Sequence, residues 1–199
     1  MIFERGHFKS DDLQKAVINE SFKETRNFSF KSKWESKPTV FISHKHSDLE
    51  DVKELEGVIK MFEDLGAKIY LDGMDNKLPD QTSGETAQRI KEVIKHSKKF
   101  VLLATEKAIE SYWCNWELGI GDTYKYIENI AILPIKEKGE LDSKFKGNEY
   151  LQIYPRIDFH EKAFYNIWRE YIEKGYYVSK PKNKDGKRYI TPLKEWLNS

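Results

Sequence analysis

Cysteine is close to absent from this sequence, which has one among 199 residues. A single thiol cannot form an internal disulfide, and it cannot supply the ligands of a cysteine-built zinc site. The 5 histidines are scattered along the chain, and His44 and His46, which stand two residues apart, would point to different sides of a helix. We therefore expect no disulfide framework and no resident metal.

Long apolar runs and a strong net charge are also lacking. No stretch approaches the roughly 18 consecutive apolar residues of a membrane span, and charges interrupt the opening residues, where a secretory signal peptide has its apolar segment. The 34 basic and 33 acidic side chains leave a net charge of +1, whereas a nucleic-acid-binding surface is typically strongly basic. We expect a cytoplasmic protein whose partners include neither a membrane nor nucleic acid.

The chain is instead rich in charged and aromatic residues, at 34% and 14%, beside 39% hydrophobic residues. That aromatic content is too high for a disordered chain and is sufficient for a packed core. The length fits one domain of about 150 residues with additions at its ends. We divide the chain into an N-terminal extension (1–37), a central domain (38–155) and an aromatic C-terminal extension (156–199) that packs on the domain.

The central domain alternates strand-like and helix-like segments. Apolar runs predict buried strands at 39–42, 67–71, 100–104, 130–135 and, more weakly, 150–154. Apolar residues recur at helical spacing over 52–62, 87–94 and 111–124. Strands without polar alternation, separated by helices, indicate a parallel sheet covered on both faces. We expect an α/β fold with a flavodoxin-like, doubly wound, five-stranded parallel sheet in the order 2-1-3-4-5.

The two ends of the chain follow other patterns. A helix is expected around residues 11–23. Near the C-terminus, an amphipathic spacing predicts a helix through Phe164, Ile167, Trp168, Tyr171 and Ile172. A hairpin is then expected between 176–178 and 188–190, around an Asp-Gly turn, followed by a short helix with Thr191 at its N-cap.

The predicted topology indicates where a ligand binds. In an open parallel sheet, ligands occupy the carboxyl ends of the strands where the strand order reverses, which here lies between the first and third strands. The segments that meet there are 43–48 and 106–117. The second contains Trp113 and Glu117, which share one face of a helix because they are four residues apart. An indole beside a carboxylate suits a flat, cationic ligand; alternatively, Trp113 packs in the core and Glu117 is a solvated surface charge.

Three segments together resemble the TIR domain family. Residues 39–48, TVFISHKHSD, are similar to the family's first strand and the polar loop after it. Residues 69–72, IYLD, resemble the second strand, which leads into the long BB loop, although the loop that follows lacks the receptor-type Arg-Asp-x-x-Pro-Gly sequence. Residues 111–118, SYWCNWEL, match the family pattern Ser-x-Trp-Cys-x-x-Glu-Leu. The resemblance covers about residues 38–155, and it is to bacterial, NAD-cleaving members of the kind found in Thoeris antiphage systems.

This resemblance implies an enzyme that cleaves the nicotinamide–ribose bond of NAD+, with Glu117 as the catalytic carboxylate. NAD+ is then a substrate, and no separate cofactor is expected. The product is either ADP-ribose or a cyclic ADP-ribose isomer that serves as a signal in antiphage defence. The implied partners are further copies of the chain, held in a homo-oligomer by TIR–TIR contacts, and a separate effector activated by the nucleotide product.

The family pattern also suggests which residues bind the substrate. Trp113 would line the nicotinamide or ribose pocket, and Trp116 would lie beside the catalytic carboxylate. Ser43, His44 and Lys45 follow the first strand, where they are candidates to bind phosphate or ribose. The alternative is that these three are ordinary solvated loop residues.

Two further residues of the matching segments are assigned other roles. Asp72 is expected to brace or gate the BB loop. Cys114 has no histidine at helical spacing, so we expect it to pack in the core and not to act as a nucleophile.

Two other functions stay open on the sequence alone. A non-catalytic TIR interaction module, acting through homotypic contacts, would retain Trp113 for packing and carry Glu117 incidentally. A relative of the nucleoside deoxyribosyltransferases also uses a carboxylate at a ribosyl centre, but it would leave NAD+ untouched. Release of nicotinamide from NAD+ separates both from the NAD-cleaving enzyme.

Overall fold

The computed structural model of the protein describes residues 2–8, 37–45, 52–71, 84–139, 149–166 and 169–199. The strands are β1 (Phe3–Glu4), β2 (Thr39–Ser43), β3 (Lys68–Leu71), β4 (Lys99–Ala104), β5 (Ile130–Lys136), β6 (Arg156–His160), β7 (Phe164–Tyr165), β8 (Tyr171–Ile172), β9 (Gly175–Ser179) and β10 (Ile190–Pro192). The α-helices are α1 (Val52–Asp64), α2 (Gly84–His96), α3 (Glu106–Glu110), α4 (Tyr112–Tyr124) and α5 (Leu193–Asn198). Short 3₁₀-helices cover Ile127–Asn129 and Glu149–Ile153. The predicted helix at 11–23 and the candidate Asp72 with its following loop lie outside the described residues.

The main sheet has the strand order β10-β9-β6-β5-β4-β2-β3. Strands β2 to β6 pair in parallel. In chain order of these five strands, the arrangement is 2-1-3-4-5, which confirms the predicted doubly wound topology. The sheet reverses direction of winding between β2 and β4, where the sequence predicted the ligand site.

The predicted position of the fifth parallel strand is wrong. Residues 149–153 form a 3₁₀-helix, and the strand is β6, which begins at Arg156. Leu151 and Tyr154 are both buried, and their spacing of three residues is the repeat of a 3₁₀-helix. The pairing of β5 with β6 begins after this 3₁₀-helix, where Ile132 donates its backbone N–H to the carbonyl of Pro155 at 2.8 Å.

The C-terminal hairpin is confirmed, and it enlarges the sheet. Strand β9 pairs antiparallel with β10 and, on its other side, antiparallel with β6. The five predicted parallel strands therefore continue into two antiparallel strands on the β6 side. Helix α5 follows one residue later than predicted, because its N-cap is Pro192, and it buries Leu193, Trp196 and Leu197.

The helix predicted through 164–172 is wrong, because the ends of this segment form a small hairpin. Strands β7 and β8 pair antiparallel, with Phe164 opposite Ile172 and Tyr165 opposite Tyr171. Asn166 closes the turn, since its side-chain oxygen accepts the backbone N–H of Glu170 at 2.9 Å, and Arg169 has a φ of 62°, a left-handed conformation that ends a helix. Ile167 and Trp168 lie outside the described residues.

The N-terminal residues add a short parallel strand and dock on α1. Strand β1 pairs with the end of β5, Phe3 lying opposite Ile135. The buried Glu54 carboxylate accepts the backbone N–H of Gly6 at 2.6 Å and that of Phe8 at 3.3 Å. A Cβ on Gly57 would lie 1.8 Å from the carbonyl oxygen of Phe8. The absence of a side chain at residue 57 is therefore what lets the N-terminal segment approach α1 so closely.

The sheet has helices on both faces, as predicted, because alternate strand residues point to opposite sides. One core lies against α1 and α5. The other lies against α2 and α4 and includes Phe41, Phe100 and Leu102 from the strands. Cys114 is buried in this second core, which confirms its predicted structural role. Helix α4 therefore packs on the sheet next to β4, one of the two strands that flank the predicted ligand site.

Candidate active site

Ser43 and Glu117 meet where the sequence predicted a site. Ser43 is the last residue of β2, and its Oγ donates a hydrogen bond to Oε2 of Glu117 on α4. Both residues have an exposed fraction of 0%. The alternative in which Glu117 is a solvated surface charge is therefore wrong. The topology brings together two residues that are 74 positions apart in the chain.

Glu117 occupies a position that an apolar residue would normally fill. The buried residues of α4 are Cys114, Glu117, Leu118 and Gly121, which follow the i, i+3, i+4, i+7 spacing of a helix stripe facing a core. A carboxylate taken out of water is costly unless it is hydrogen-bonded or paired. The acidic side chain in the middle of this otherwise apolar stripe makes Glu117 a candidate for a chemical role.

The start of α4 is held by hydrogen bonds that fix the direction of its side chains. Ser111 is the N-cap, and its hydroxyl accepts the backbone N–H of Cys114 at 3.4 Å. The side-chain amide of Asn115 donates to the carbonyl of Ile109 at 2.8 Å, which ties α4 to α3. Farther along, the ring of Phe100 would lie 3.1 Å from a Cβ on Gly121. These contacts leave α4 little freedom to shift relative to Ser43.

Trp113 lines an open cleft at the start of α4. The cleft has a volume of about 450 Å³. It is lined by Lys45, Lys107, Glu110, Ser111, Tyr112 and Trp113, and we refer to it as the indole cleft. Trp113 is partly buried and packs against the second core, and it also lines the cleft. Glu117 lies one helical turn beyond it.

The remaining predicted residues are placed as follows. Lys45 lines the indole cleft with Trp113, whereas His44 is buried, with an exposed fraction of 7%. Trp116 is 38% exposed, and its ring lies 4.7 Å from that of Trp113 at an angle of 32°. Trp116 thus supports the Trp113 ring and is absent from the cleft lining among the described residues.

Sequence reasoning missed three residues that line the indole cleft. Lys107 and Glu110 belong to α3, and Tyr112, which is 94% exposed, begins α4. All three flank the cap residue Ser111. All three lie within 106–117, the segment that was expected to meet the end of the first strand, so that expectation could have identified them as candidates.

The described residues show neither a membrane-spanning helix nor a metal-binding cluster. Within the ranges that the structure describes, no helix is both long and apolar enough to cross a bilayer. The same residues contain no cluster of three or more His, Cys, Asp or Glu side chains with the geometry of a metal site.

Comparisons with known proteins give the following matches. A family model described as TIR domain matches residues 40–170. A Bacillus cereus (strain MSX-D12) protein, named a probable 3' cyclic ADP-D-ribose synthase ThsB', is 29% identical over 153 residues, which span 76% of this chain and 72% of the relative. A Cytobacillus dafuensis protein, named as a candidate cyclic ADP-D-ribose synthase TIR2, is 34% identical over 82 residues, which span 40% of this chain and 21% of that relative.

Proposed function

The chain belongs to the TIR domain family, and on that premise we propose that it cleaves the nicotinamide–ribose bond of NAD+ and forms a cyclic ADP-ribose isomer. The buried Ser43–Glu117 hydrogen bond, one helical turn from the cleft-lining Trp113, is the observation that carries this proposal. The names of the two relatives support a cyclic product. ADP-ribose released by hydrolysis is the alternative product. No separate cofactor is needed for either outcome.

The reaction needs stabilisation of positive charge more than it needs an acid. The bond between the ribose C1′ and the nicotinamide nitrogen breaks with its electron pair going to the ring nitrogen, so nicotinamide leaves as a neutral molecule. The ribose that remains has oxocarbenium character. A nearby carboxylate stabilises that charge as it develops, and we assign this role to Glu117, which is buried and hydrogen-bonded to Ser43.

Ser43 has a positioning role in this proposal. Its hydroxyl donates to one oxygen of Glu117, so the carboxylate is held in one orientation before the substrate arrives. A preorganised group of this kind does not have to reorient during the reaction. On sequence alone, Ser43 was a candidate for substrate binding. Its hydrogen bond to Glu117 favours a role in positioning that carboxylate instead.

The indole cleft supplies contacts for the rest of the dinucleotide. The indole of Trp113 lines this cleft and is an aromatic surface on which a planar ring can stack. Lys45 and Lys107 line the same cleft, and their ammonium groups suit the negative charges of a pyrophosphate. The electron-deficient C1′ is then captured either by a nucleophilic atom of the same ADP-ribose, which closes the ring, or by water.

We also propose that the protein works as a homo-oligomer and signals to a separate effector. Tyr112 is 94% exposed while lining the indole cleft, and a large aromatic side chain at such a position favours contact with a second copy. A TIR–TIR contact at this place would complete the walls of the cleft. The cyclic nucleotide would carry the response to an effector in bacterial antiphage defence.

Separation of reaction products tests this function. Purified protein is incubated with NAD+ over a range of protein concentrations, and the products are compared chromatographically with nicotinamide, ADP-ribose and cyclic ADP-ribose isomers. We expect nicotinamide and a cyclic isomer in equal amounts, with a specific rate that rises with protein concentration. If no nicotinamide forms at any concentration, with or without extract of phage-infected cells, the non-catalytic interaction module is the better account.

A further inference from the structure

A second cleft lies at the part of the sheet formed by β5, β6 and β9. It has a volume of about 490 Å³, which is within the range of small-molecule sites. Its walls come from β5, the Glu149–Ile153 turn, β6 and the connection between β9 and β10. None of its lining residues lines the indole cleft.

The charge of this cleft is of one sign. Arg156, Lys180, Lys182 and Arg188 line it, and no acidic side chain does so among the described residues. We call it the basic cleft. The chain as a whole carries a net charge of only +1, and Lys180, Lys182 and Arg188 still concentrate positive charge here when Arg156 is counted as neutralised by its ion pair with Asp158. Cationic side chains converging on a concave surface raise the local concentration of anions.

Part of the lining of the basic cleft is apolar. Ile132, Pro134, Leu151 and Pro181 supply this part, which we call its floor. A simple inorganic anion gains no binding free energy from apolar contacts of this kind. A ligand that joins a planar, weakly polar ring to one or more phosphates would match both the floor and the charged rim.

Arg156 is held in place for such a ligand. Its Nη2 lies 2.8 Å from Oδ1 of Asp158, a carboxylate that is 3% exposed. The Arg156 side chain is still 33% exposed. A guanidinium that is anchored by a carboxylate and partly exposed at a cleft is suited to bind a phosphate there.

We propose that the basic cleft binds a phosphate-bearing nucleotide of the size of a nucleoside diphosphate, at a site separate from the Ser43–Glu117 centre. The base rests on the apolar floor, and the phosphates meet Arg156 and the exposed side chains of Lys182 and Arg188. This site does not depend on the cleavage of NAD+, so its test is a binding measurement that needs no turnover.

The structure also links this site to the catalytic helix. Tyr150 of the Glu149–Ile153 turn donates a hydrogen bond to Oδ1 of Asn115 on α4. Leu151 and Gln152 of the same turn line the basic cleft. A ligand in the basic cleft would therefore contact the segment that is bonded to the helix carrying Trp113 and Glu117.

Calorimetric titration with ADP, pyrophosphate and adenosine tests the proposal on the full chain. We expect ADP to bind, and adenosine to bind about tenfold or more weakly because it lacks the phosphates. The double variant Lys182→Gln/Arg188→Gln should weaken ADP binding by about tenfold or more. The matched control Lys184→Gln/Lys187→Gln changes the same charge on exposed residues of the same connection, outside the cleft lining, and should leave the affinity within about twofold.

The variant Trp113→Ala separates the two clefts, and it should bind ADP in the basic cleft with unchanged affinity. The proposal is overturned if neither ADP nor pyrophosphate binds at millimolar concentration. It is also overturned if the Lys182/Arg188 variant binds ADP as well as wild type does, or if Trp113→Ala abolishes binding. Tight binding of a single-stranded oligonucleotide without competition by ADP would overturn it in favour of a nucleic-acid surface.

Discussion

The hydroxyl of Ser43 and the carboxylate of Glu117 form a hydrogen bond in a place that solvent does not reach. Ser43 is the last residue of β2, and Glu117 lies in the middle of α4, which follows β4 in the chain. The strand order reverses between β2 and β4. A hydroxyl that serves only as a donor to a buried carboxylate has two measurable effects. It stabilises the fold, and it orients the carboxylate.

Ser43→Ala tests both effects. Removing the donor leaves the buried Glu117 carboxylate less satisfied, so the free energy of unfolding should fall by about 1–3 kcal/mol. If Glu117 acts on NAD+, loss of its orientation should lower kcat by up to about a hundredfold with little change in KM. Urea unfolding and the rate of nicotinamide release measure the two quantities.

Ser97→Ala is the matched control for that variant. The buried Ser97 hydroxyl donates to the carbonyl of Val93 at 2.8 Å, at the amino end of β4, away from Glu117. Its loss should also destabilise the fold, but kcat should stay at the wild-type value. Equal losses of kcat in both variants would mean that Ser43 acts only through stability.

Trp113 provides the second test of the site. Trp113→Ala removes the ring that lines the indole cleft, and loss of one stacking contact should raise KM for NAD+ about tenfold. Trp113→Phe should recover part of that loss because a smaller aromatic surface remains. Trp116→Ala should have a smaller effect, since Trp116 supports the Trp113 ring and does not line the cleft. A larger rise in KM for Trp116→Ala than for Trp113→Ala would contradict this assignment.

Gly57 tests the docking of the N-terminal segment. A Cβ at this position would lie 1.8 Å from the carbonyl oxygen of Phe8, so Gly57→Ala should displace the segment and lower the free energy of unfolding by about 1–3 kcal/mol. Gly119→Ala is the control, because nothing lies within 4 Å of its Cβ position. That change in a helix interior should raise stability by about 0.5–1 kcal/mol. Urea unfolding of both variants decides the point, and equal stabilities would contradict the close approach.

Two lysines are expected to make the free energy of unfolding vary with pH in the alkaline range. Burial lowers the pKa of Lys99 to about 8 and the pKa of Lys125 to about 8. Above pH 8 the folded protein loses these protons while an unfolded lysine keeps its proton to about pH 10.4. The unfolded state then binds more protons, so the free energy of unfolding should rise with pH above 8.

Tyrosine titration sets the upper limit of that rise. Burial, together with Asp122, raises the pKa of Tyr154 to about 12. From about pH 10 the unfolded tyrosine loses its proton first, which lowers the free energy of unfolding again. Urea unfolding at pH 7.5 and 9.5 should therefore show higher stability at the upper pH, and Lys99→Met or Lys125→Met should reduce that difference. An identical difference in wild type and both variants would rule out the lysines as its source.

The sequence was most informative where each element carries its own pattern. Strands β2 to β5 each contain a short apolar run, so the strand order and the switch point followed from general rules of α/β sheets. The position of Glu117 followed from the same rules, because the two segments that flank the switch point must converge. Its hydrogen bond to Ser43 could not be predicted, since it depends on the side-chain orientations that packing imposes across 74 residues.

The C-terminal errors have a different cause. The aromatic residues of 164–172 fit a helix by spacing, but Arg169 in the left-handed region and the Asn166 turn close a hairpin instead. Strand β9 could be predicted as a hairpin strand, yet its pairing with β6 is a long-range contact with no local pattern. Strand β1 is too short, at 2 residues, to leave a periodicity.

The measurement closest to the central claim is kcat/KM for nicotinamide release by Glu117→Gln. The amide keeps the size of the side chain and an acceptor for Ser43 but lacks the negative charge, so kcat/KM should fall by about a thousandfold or more. Glu106→Gln, an exposed change in α3, should retain wild-type activity. A folded Glu117→Gln protein that releases nicotinamide within about tenfold of the wild-type rate would contradict the account.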